Sequence, residues 1–397
     1  MKQPEVILDF GSSKVVCMVG SCSEQGRFEI YGIGVSEHKG LKKKRFLDEP
    51  GLRLAVQNAI DAAQSEARRK IRSVHVGVPG PFLRVECSQY ELTLGEEPRE
   101  VAAEDIDRLM EAAITAQIVP EGYERALSVP FYYRVDGSPR SVMPLGVTGR
   151  TLWASVSNLY IDSGFESFVR DMLGEIGVEA ASFMDAASAG ANMLIPEKDR
   201  HEEAVAVDVG YYHTDVLLMR NSACIYRTVL PVGGAHIASD ISYVLQISPS
   251  VAESIKRRHA FALDYAGQTG THRLTDGTME TIVYEDIQDI IEARANEMGA
   301  MVGEAIRKSP AKISPDTIVY LSGGGLAMMR GSREMFQAAC GFCTVTELPW
   351  MPRNRTENFA STYGMLDYVC HSELGAEKKD SWKDNRVIQF LINFFTK

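Results

Sequence analysis

A chain of 397 residues is too long for one compact core and suits two to four domains, and 45% apolar with 24% charged residues is ordinary for a soluble globular protein. A net charge of −11 excludes a general nucleic-acid binder, which needs a basic face, so no nucleic-acid partner is expected. Seven scattered Cys, an odd number, fit a reducing compartment; residues 1 to 10 hold no apolar core of signal-peptide length and no apolar run is long enough to span a bilayer, so a cytosolic protein is expected.

The first element, VILDFGSSKVVCMV at residues 6 to 19, is two short apolar runs around a Gly-Ser-Ser turn, which predicts a β-hairpin with Asp9 at the end of its first strand. Gly11, Ser12 and Ser13 carry little bulk, so their N–H groups can converge on a phosphate, with Lys14 as a compact charge beside it. Asp9 stands where it can hold a hydrated Mg²⁺ against that phosphate. RFEIYGIGV at 27 to 35 reads as a strand, and the basic run Lys42, Lys43, Lys44, Arg45 as a solvated loop. A helix is predicted from Pro50 to Lys70, with Leu54, Ala55, Ile60, Ala63 and Ala67 at helical spacing and Arg68, Arg69 and Lys70 facing its C-terminal dipole. VHVGVPG at 74 to 80 is a buried strand.

Near residue 84 the texture changes. LRVECSQYELTL reads as a strand, EEPREVAAEDIDRLMEAAITA as an amphipathic helix, and VPFYYRVDGSPRSVMPLGVTGRTLWASVSNLYI as further strands, together a small inserted α/β unit. ASFMDAASAGANML is predicted to be a closely packed small-residue helix.

VAVDVGYYHTDVLLM at 205 to 219 then echoes the opening hairpin and places Asp208 where Asp9 stood. One Asp-x-Gly at a strand end is usually only a tight turn, but two in matching contexts predict related halves whose acids share a metal across a cleft. Gly233-Gly234 presents either another N–H cluster or a plain turn into a helix. Residues 248 to 262 read as a helix, YAGQTGTHRLTDGTMETIVY as a hairpin, and 284 to 309 as a long helix. TIVYLSGGGLAMM is a strand ending in three Gly, where backbone can lie against a planar ligand. Cys340-Gly-Phe-Cys343 has no second pair or nearby His to complete a zinc site, and no H-E-x-x-H, G-x-S-x-G or Walker loop occurs. Residues 373 to 381 form a charged linker before WKDNRVIQFLINFFTK at 382 to 397. There Val387, Ile388, Leu391, Ile392 and Phe395 share one helical face widened by Phe390 and Phe394, against Arg386, Gln389, Asn393 and Lys397. At ~24 Å such a helix is shorter than a bilayer core and is expected to lie flat on anionic lipid.

The paired hairpins, the small-residue segment between them and the late strand-Gly-Gly-Gly resemble the actin/Hsp70 ATPase superfamily. Segment 129 to 152, VPFYYRVDGSPRSVMPLGVTGRTL, with IRSVHVGVPG, VLPVGGAHIASDI and YLSGGG, makes nearly the whole chain similar to its FtsA family of bacterial cell-division proteins. The resemblance implies an α/β fold of actin-like (ribonuclease H-like) type. Its first lobe would span 1 to 83 and 160 to 200, with an insert at 84 to 159; its second would span 201 to 245 and 315 to 372, with a subdomain at 246 to 314.

The resemblance also implies ATP or ADP with Mg²⁺. Phosphate would lie on Gly11, Ser12, Ser13, Lys14, Gly210, Thr214, Gly233 and Gly234, with metal on Asp9 and Asp208 through water. Gly323, Gly324 and Gly325 would face adenine, Glu253 and Lys256 would bracket adenine and ribose, and Asp185 would position the attacking water. One departure stands out: Tyr211, Tyr212 and His213 replace the family's Gly-Gly-Thr, and a Cβ there restricts positive φ, so at most weak hydrolysis is expected. The implied role is an adaptor on the cytoplasmic membrane face at the division site. It would bind the C-terminal peptide of the tubulin-like protein FtsZ on residues 246 to 314, near Lys256, Arg257 and Arg258, and assemble with copies of itself. Alternatives are a pilus-assembly platform similar to PilM and an active ATPase or kinase of the same fold.

Overall fold

In the computed structural model the described residues are 4–22, 27–201, 203–261, 263–311, 313–346 and 359–371. Strands β1 (Glu5–Phe10) and β2 (Lys14–Cys22) pair antiparallel with Asp9 opposite Val16, and β3 (Phe28–Glu37) continues the meander. Helix α1 (Glu49–Ala67) lays Leu52, Val56, Ala59, Ile60 and Ala63, an i, i+4, i+7, i+8 stripe, onto Leu8, Phe10, Val15 and Cys17 of the sheet. Each such Leu, Val or Ile stabilises by roughly 1.5–3 kcal/mol when fully buried. The expected stripe is off at its start, since Leu54 is 61% exposed. The helix also stops before the basic run: Arg68 turns left-handed at φ 51°, so Arg68, Arg69 and Lys70 lie beyond its last turn.

After β4 (Ser73–Val78), parallel to β1, the chain makes the insert. Strands β5 (Leu83–Thr93), β6 (Tyr123–Val135) and β7 (Thr151–Asp162) form an antiparallel sheet in the order β5-β7-β6 under helix α2 (Ala103–Ala116). Ile106, Leu109 and Met110 of α2 meet Tyr133, Leu152 and Val156 in a core separate from that of the lobe. The chain returns through α3 (Ser163–Glu175) to β8 (Glu179–Asp185) and α4 (Ala186–Leu194). The segment expected as one small-residue helix is thus strand up to Asp185 and helix after it. Asp185 sets the break, because its carboxylate accepts the Ser188 N–H at the helix start.

The second lobe repeats the first. Strands β9 (Ala204–Val209), β10 (Thr214–Arg220) and β11 (Ala223–Leu230) precede α5 (Gly234–Leu245), α6 (Pro249–Arg258), the hairpin β12 (Thr269–Arg273) with β13 (Met279–Val283), and α7 (Tyr284–Arg307). Then come β14 (Val319–Ser322), α8 (Ser332–Cys340), β15 (Thr344–Val345) and α9 (Ala360–His371). The sheet orders β3-β2-β1-β4-β8 and β11-β10-β9-β14-β15 match strand for strand, two antiparallel pairings then two parallel ones in each. One boundary differs from expectation. Helix α9 packs Met365, Leu366 and Val369 on Ile7 and Met18, so it belongs with the first lobe rather than with the second. Among the described residues no helix is long and apolar enough to cross a membrane; the linker and Val387, Ile388, Phe390, Leu391, Ile392, Phe394 and Phe395 lie outside them.

Candidate functional site

Both hairpins close with the same bond. Gly11 N–H donates to Lys14 O at 2.9 Å and Gly210 N–H to His213 O at 3.0 Å. A Cβ on either glycine would sit 2.9 Å from that carbonyl, so the turn needs Gly for close approach, although neither has positive φ. The tips then meet across the cleft, where Ser12 Oγ accepts the N–H groups of Tyr211 and Tyr212, each at 3.1 Å. The tyrosines adopt no positive φ, so the backbone strain expected of them does not arise. Tyr212 instead donates its hydroxyl to Lys39 O at 3.4 Å and takes Lys42 Nζ over its ring at 5.0 Å. The basic run is exposed, as a solvated loop is, while Lys44 bonds to Asp162 at 2.9 Å and to Tyr123 at 2.7 Å.

Behind the tips lies a cavity of about 520 Å³, a size suited to a nucleotide-sized ligand. It gathers Asp9, Gly11, Ser12, Ser13, Lys14, Asp208 and Gly210 with Glu253, Lys256 and Gly323 to Gly325. The three glycines reach it by wrapping the end of β9. Gly323 has φ +96° and room for no Cβ beside Asp208 Oδ1, and Gly325 N–H donates to Val209 O at 2.8 Å. Glu253 and Lys256 do share one face of α6, 2.8 Å apart, and buried Lys256 also donates to Gly234 O at 3.1 Å. Lys256 cannot serve a peptide on the outer surface, which corrects the basic cluster expected there; Arg257 also lines the cavity, paired with Glu253 at 2.7 Å.

The charges fit a divalent cation. Burial raises the Asp9 carboxyl above its ordinary range against hydrogen bonds from Ser361 at 2.6 Å and Thr362 at 2.9 Å. Burial, then the charges of Asp215 and Asp9, push Asp208 up to about 7. Lys14 is itself lowered by burial despite Asp9, and burial also lowers His213, its counterpart in the second hairpin. Two hard oxygen donors held together at the cost of ionisation are a donor set that Mg²⁺ relieves.

Four expected residues are not brought in. Thr214 is buried and gives its hydroxyl to Val232 O at 2.8 Å. The N–H groups that Gly233-Gly234 were expected to offer are occupied, Gly233 donating to His236 Nδ1 at 3.1 Å and Gly234 to Gly210 O at 3.0 Å, with Ala235 next to them donating to Tyr211 O at 2.7 Å. Asp185 does not line the cavity. It takes Arg227 at 2.7 Å as well as the Ser188 N–H and hydroxyl, and Arg227 reaches on to Asp215 at 2.6 Å. Burial works against the charge of Arg227, yet Asp185 and Asp215 outweigh it and hold its pKa above the ordinary value. Arg227 went unseen in the sequence because it sits in an unremarkable strand; only the echo of Asp9 by Asp208, which leaves Asp215 opposite, hinted that a counter-charge was needed.

Two mirrored five-stranded sheets with hairpin tips facing one cavity define an actin-like, two-lobed α/β protein. Solved structures of that shape agree: a PilM-PilN type IV pilus biogenesis complex, at TM-score 0.58 and 15% identity, covers 98% of each chain. MreB5 of Spiroplasma citri bound to ADP, at TM-score 0.53 and 13% identity, covers 92% of this chain and 96% of its own. At such identities the likeness carries the fold alone. Sequence comparison is more specific. The family model described as Cell division protein FtsA matches residues 205–364, and that described as SHS2 domain inserted in FTSA matches 80–160. Cell division protein FtsA of Pseudomonas aeruginosa is 28% identical over 333 residues, 83% of this chain and 79% of its own. That of Escherichia coli (strain K12) is 25% identical over 387 residues, 93% and 91%. The chain belongs to the FtsA family and is an actin-like cell-division protein.

Proposed function

We propose that this protein is an actin-like adaptor that links a tubulin-like FtsZ polymer to the cytoplasmic face of the membrane, assembles with copies of itself, and uses ATP or ADP with Mg²⁺ as a structural ligand. The observation that carries the non-hydrolytic part is the buried Arg227, which with Ser188 engages Asp185, a residue that does not line the cavity. Lys14 would neutralise phosphate charge, the Ser12 and Ser13 amides would orient it, and Asp9 and Asp208 would hold the metal through water. Bound Mg²⁺ would supply charge neutralisation between the two carboxylates and the phosphates. Glu253, Lys256 and Arg257 bound the base and sugar side. A ligand touching both lobes stabilises their closed arrangement by its differential affinity for it.

The membrane contact is assigned to the apolar face of 382 to 397, where several Phe, Leu and Ile at roughly 1.5–3 kcal/mol each suffice for reversible anchoring. The FtsZ peptide is assigned to the subdomain at 246 to 314 on family grounds, with the exposed Arg258 of α6, which does not line the cavity, in place of the buried Lys256. An active ATPase or kinase is disfavoured by the engaged Asp185.

Calorimetry with ADP and ATP, with and without Mg²⁺, should give metal-dependent binding, and phosphate release should stay near the buffer rate. Rapid release that Asp185→Ala abolishes would overturn the structural-ligand reading. Wild type should sediment with anionic vesicles, and a chain ending at Asp380 should not; equal sedimentation of both would remove the tail as anchor.

A further inference from the structure

The far end of α9 carries a second cluster unrelated to the cavity. Asp367, Cys370 and His371 stand at i, i+3 and i+4 and so share one face of the helix. That face meets Cys22 at the end of β2, 348 residues back in sequence from Cys370 but in the same buried apolar cluster. Cys22 Sγ lies 3.9 Å from His371 Nε2 and 3.9 Å from Asp367 Oδ1, and one ligand atom from each of the three residues falls within 4.8 Å of the others. The Cys370 thiol shares a hydrogen bond with that of Cys22, which brings a fourth donor to the group.

From these contacts we infer that Cys22, Asp367, Cys370 and His371 form a structural zinc site that staples the last turn of α9 to β2. Zinc–ligand bonds of ~2.0–2.3 Å in a tetrahedron set ligand separations of roughly 3.3–3.8 Å, so Cys22, Asp367 and His371 need only small tightening, while the Cys370 thiol, bonded to that of Cys22, turns in as the fourth ligand. The imidazole is already oriented for it. His371 Nδ1 donates to the Asp367 carbonyl at 2.9 Å, which leaves Nε2 facing Cys22 Sγ at 3.9 Å; Asp367 Oδ1, 3.1 Å from Nδ1 in the metal-free protein, turns from the ring to the metal on loading. Two sulfurs, one nitrogen and one oxygen suit borderline-soft Zn²⁺ and not Mg²⁺, so this site and the nucleotide cavity select different metals.

Burial is arranged as a closed site requires. The thiols form the inner wall, while the half-exposed His371 and Asp367 side chains, 32% and 39% accessible, leave an entry path. Loading deprotonates both thiols and releases their two protons to solvent, so affinity rises with pH. The opposite end of α9 presents Ser361 and Thr362 to Asp9, so the staple also fixes the helix that positions that acid.

The test uses the full chain, purified under reducing conditions without chelator. Elemental analysis should find about one zinc per chain. Titration of the stripped protein with Co²⁺ should give thiolate-to-cobalt charge-transfer and intense tetrahedral d–d bands. His371→Ala and Asp367→Asn, at partly exposed positions where folding is preserved, should weaken Co²⁺ binding about a hundredfold or more. Cys22→Ser and Cys370→Ser should each lower the charge-transfer intensity, and Cys340→Ser should leave it unchanged. Full-length protein with reduced thiols that shows no such bands would overturn the assignment. So would bands that persist in the Cys22→Ser/Cys370→Ser double variant, or a Cys22–Cys370 disulfide found by mass spectrometry in protein never exposed to oxidant.

Discussion

In the first hairpin an acid, a glycine and a four-residue turn place Asp9 beside Lys14; in the second the same frame, closed by the same backbone bond, places Asp208 beside a His213 that burial keeps neutral. The strand registers coincide throughout, and what differs is the residue opposite the acid. Asp9 faces Val16, whereas Asp208 faces Asp215. Backbone bonding and the crowding at Gly11 and Gly210 therefore fix the frame, while the residues at the tips and opposite the acid are left to specialise. The first hairpin keeps the charge that a phosphate needs. The second spends its side chains on holding the lobes together, Tyr212 against the loop at Lys39 and Asp215 through Arg227 to Asp185.

The largest expected effect follows from that extra acid. Arg227→Met leaves Asp185 and Asp215 buried without their cation, and removing one partner of a buried pair costs about 3–5 kcal/mol. Urea denaturation should show that loss, and Asp215→Val added to it, which copies Val16 of the first hairpin, should restore part. A loss under about 1 kcal/mol would mean that the ion bridge is not what joins the lobes here.

Next comes the division of charge between the tips. Lys14→Ala should weaken nucleotide binding by about 1.5–3 kcal/mol, the worth of a charge-assisted contact, and His213→Ala by less than about 1 kcal/mol. Calorimetry on both variants decides the point. Equal losses would erase the asymmetry between the hairpins.

The pH dependence should be smaller. With Asp208 pushed up to about 7, its ionised fraction falls roughly tenfold between pH 8 and pH 6, and Mg²⁺-dependent affinity should fall with it. The sign for stability is the reverse. A carboxyl whose folded pKa lies above its ordinary 3.8 binds more protons when folded, so it stabilises the metal-free protein at low pH, and this is lost as pH rises toward about 7. Saturating Mg²⁺ should flatten that slope. A metal-free protein whose melting temperature rises between pH 5 and pH 8 would contradict the placement of Asp208.

Much of this was legible in the chain itself, because hairpins, Gly-rich turns and strand-ending acids are local signals. The echo of residues 6 to 19 at 205 to 219 sufficed to expect two lobes and the pair Asp9 and Asp208. What escaped was long-range. The return of α9 to the first lobe depends on Met365 and Leu366 finding Ile7 and Met18, and no local pattern distinguishes one apolar partner from another. The occupied N–H groups at Gly234 and Ala235 depend on carbonyls of a loop some 24 residues earlier, at Gly210 and Tyr211. The run Asp367-x-x-Cys370-His371 was visible, but its meaning rests on Cys22 at the other end of the chain.

The tyrosines give the finest test of the contrast between the tips. Their sequence position suggests that glycine would improve the phosphate loop, but the structure gives them backbone angles that need none. Tyr212→Gly removes the hydroxyl contact with Lys39 O, the ring under Lys42 and the packing beside Gly40, and it adds the entropy cost of glycine, roughly 0.5–1 kcal/mol. The variant should therefore lose stability by more than that entropy cost alone rather than gain nucleotide affinity. Tyr211→Gly removes the ring 5.5 Å from the buried Lys256 Nζ and should weaken affinity by about 1–2 kcal/mol, the range of a partly desolvated cation–π contact. Neither should raise turnover, since Asp185 stays bound to Arg227 in both. Calorimetry and phosphate release on Tyr211→Gly/Tyr212→Gly decide between the two accounts. A strong gain in both affinity and hydrolysis would show that the second tip had been impaired as a phosphate loop, and that its role in joining the lobes is secondary.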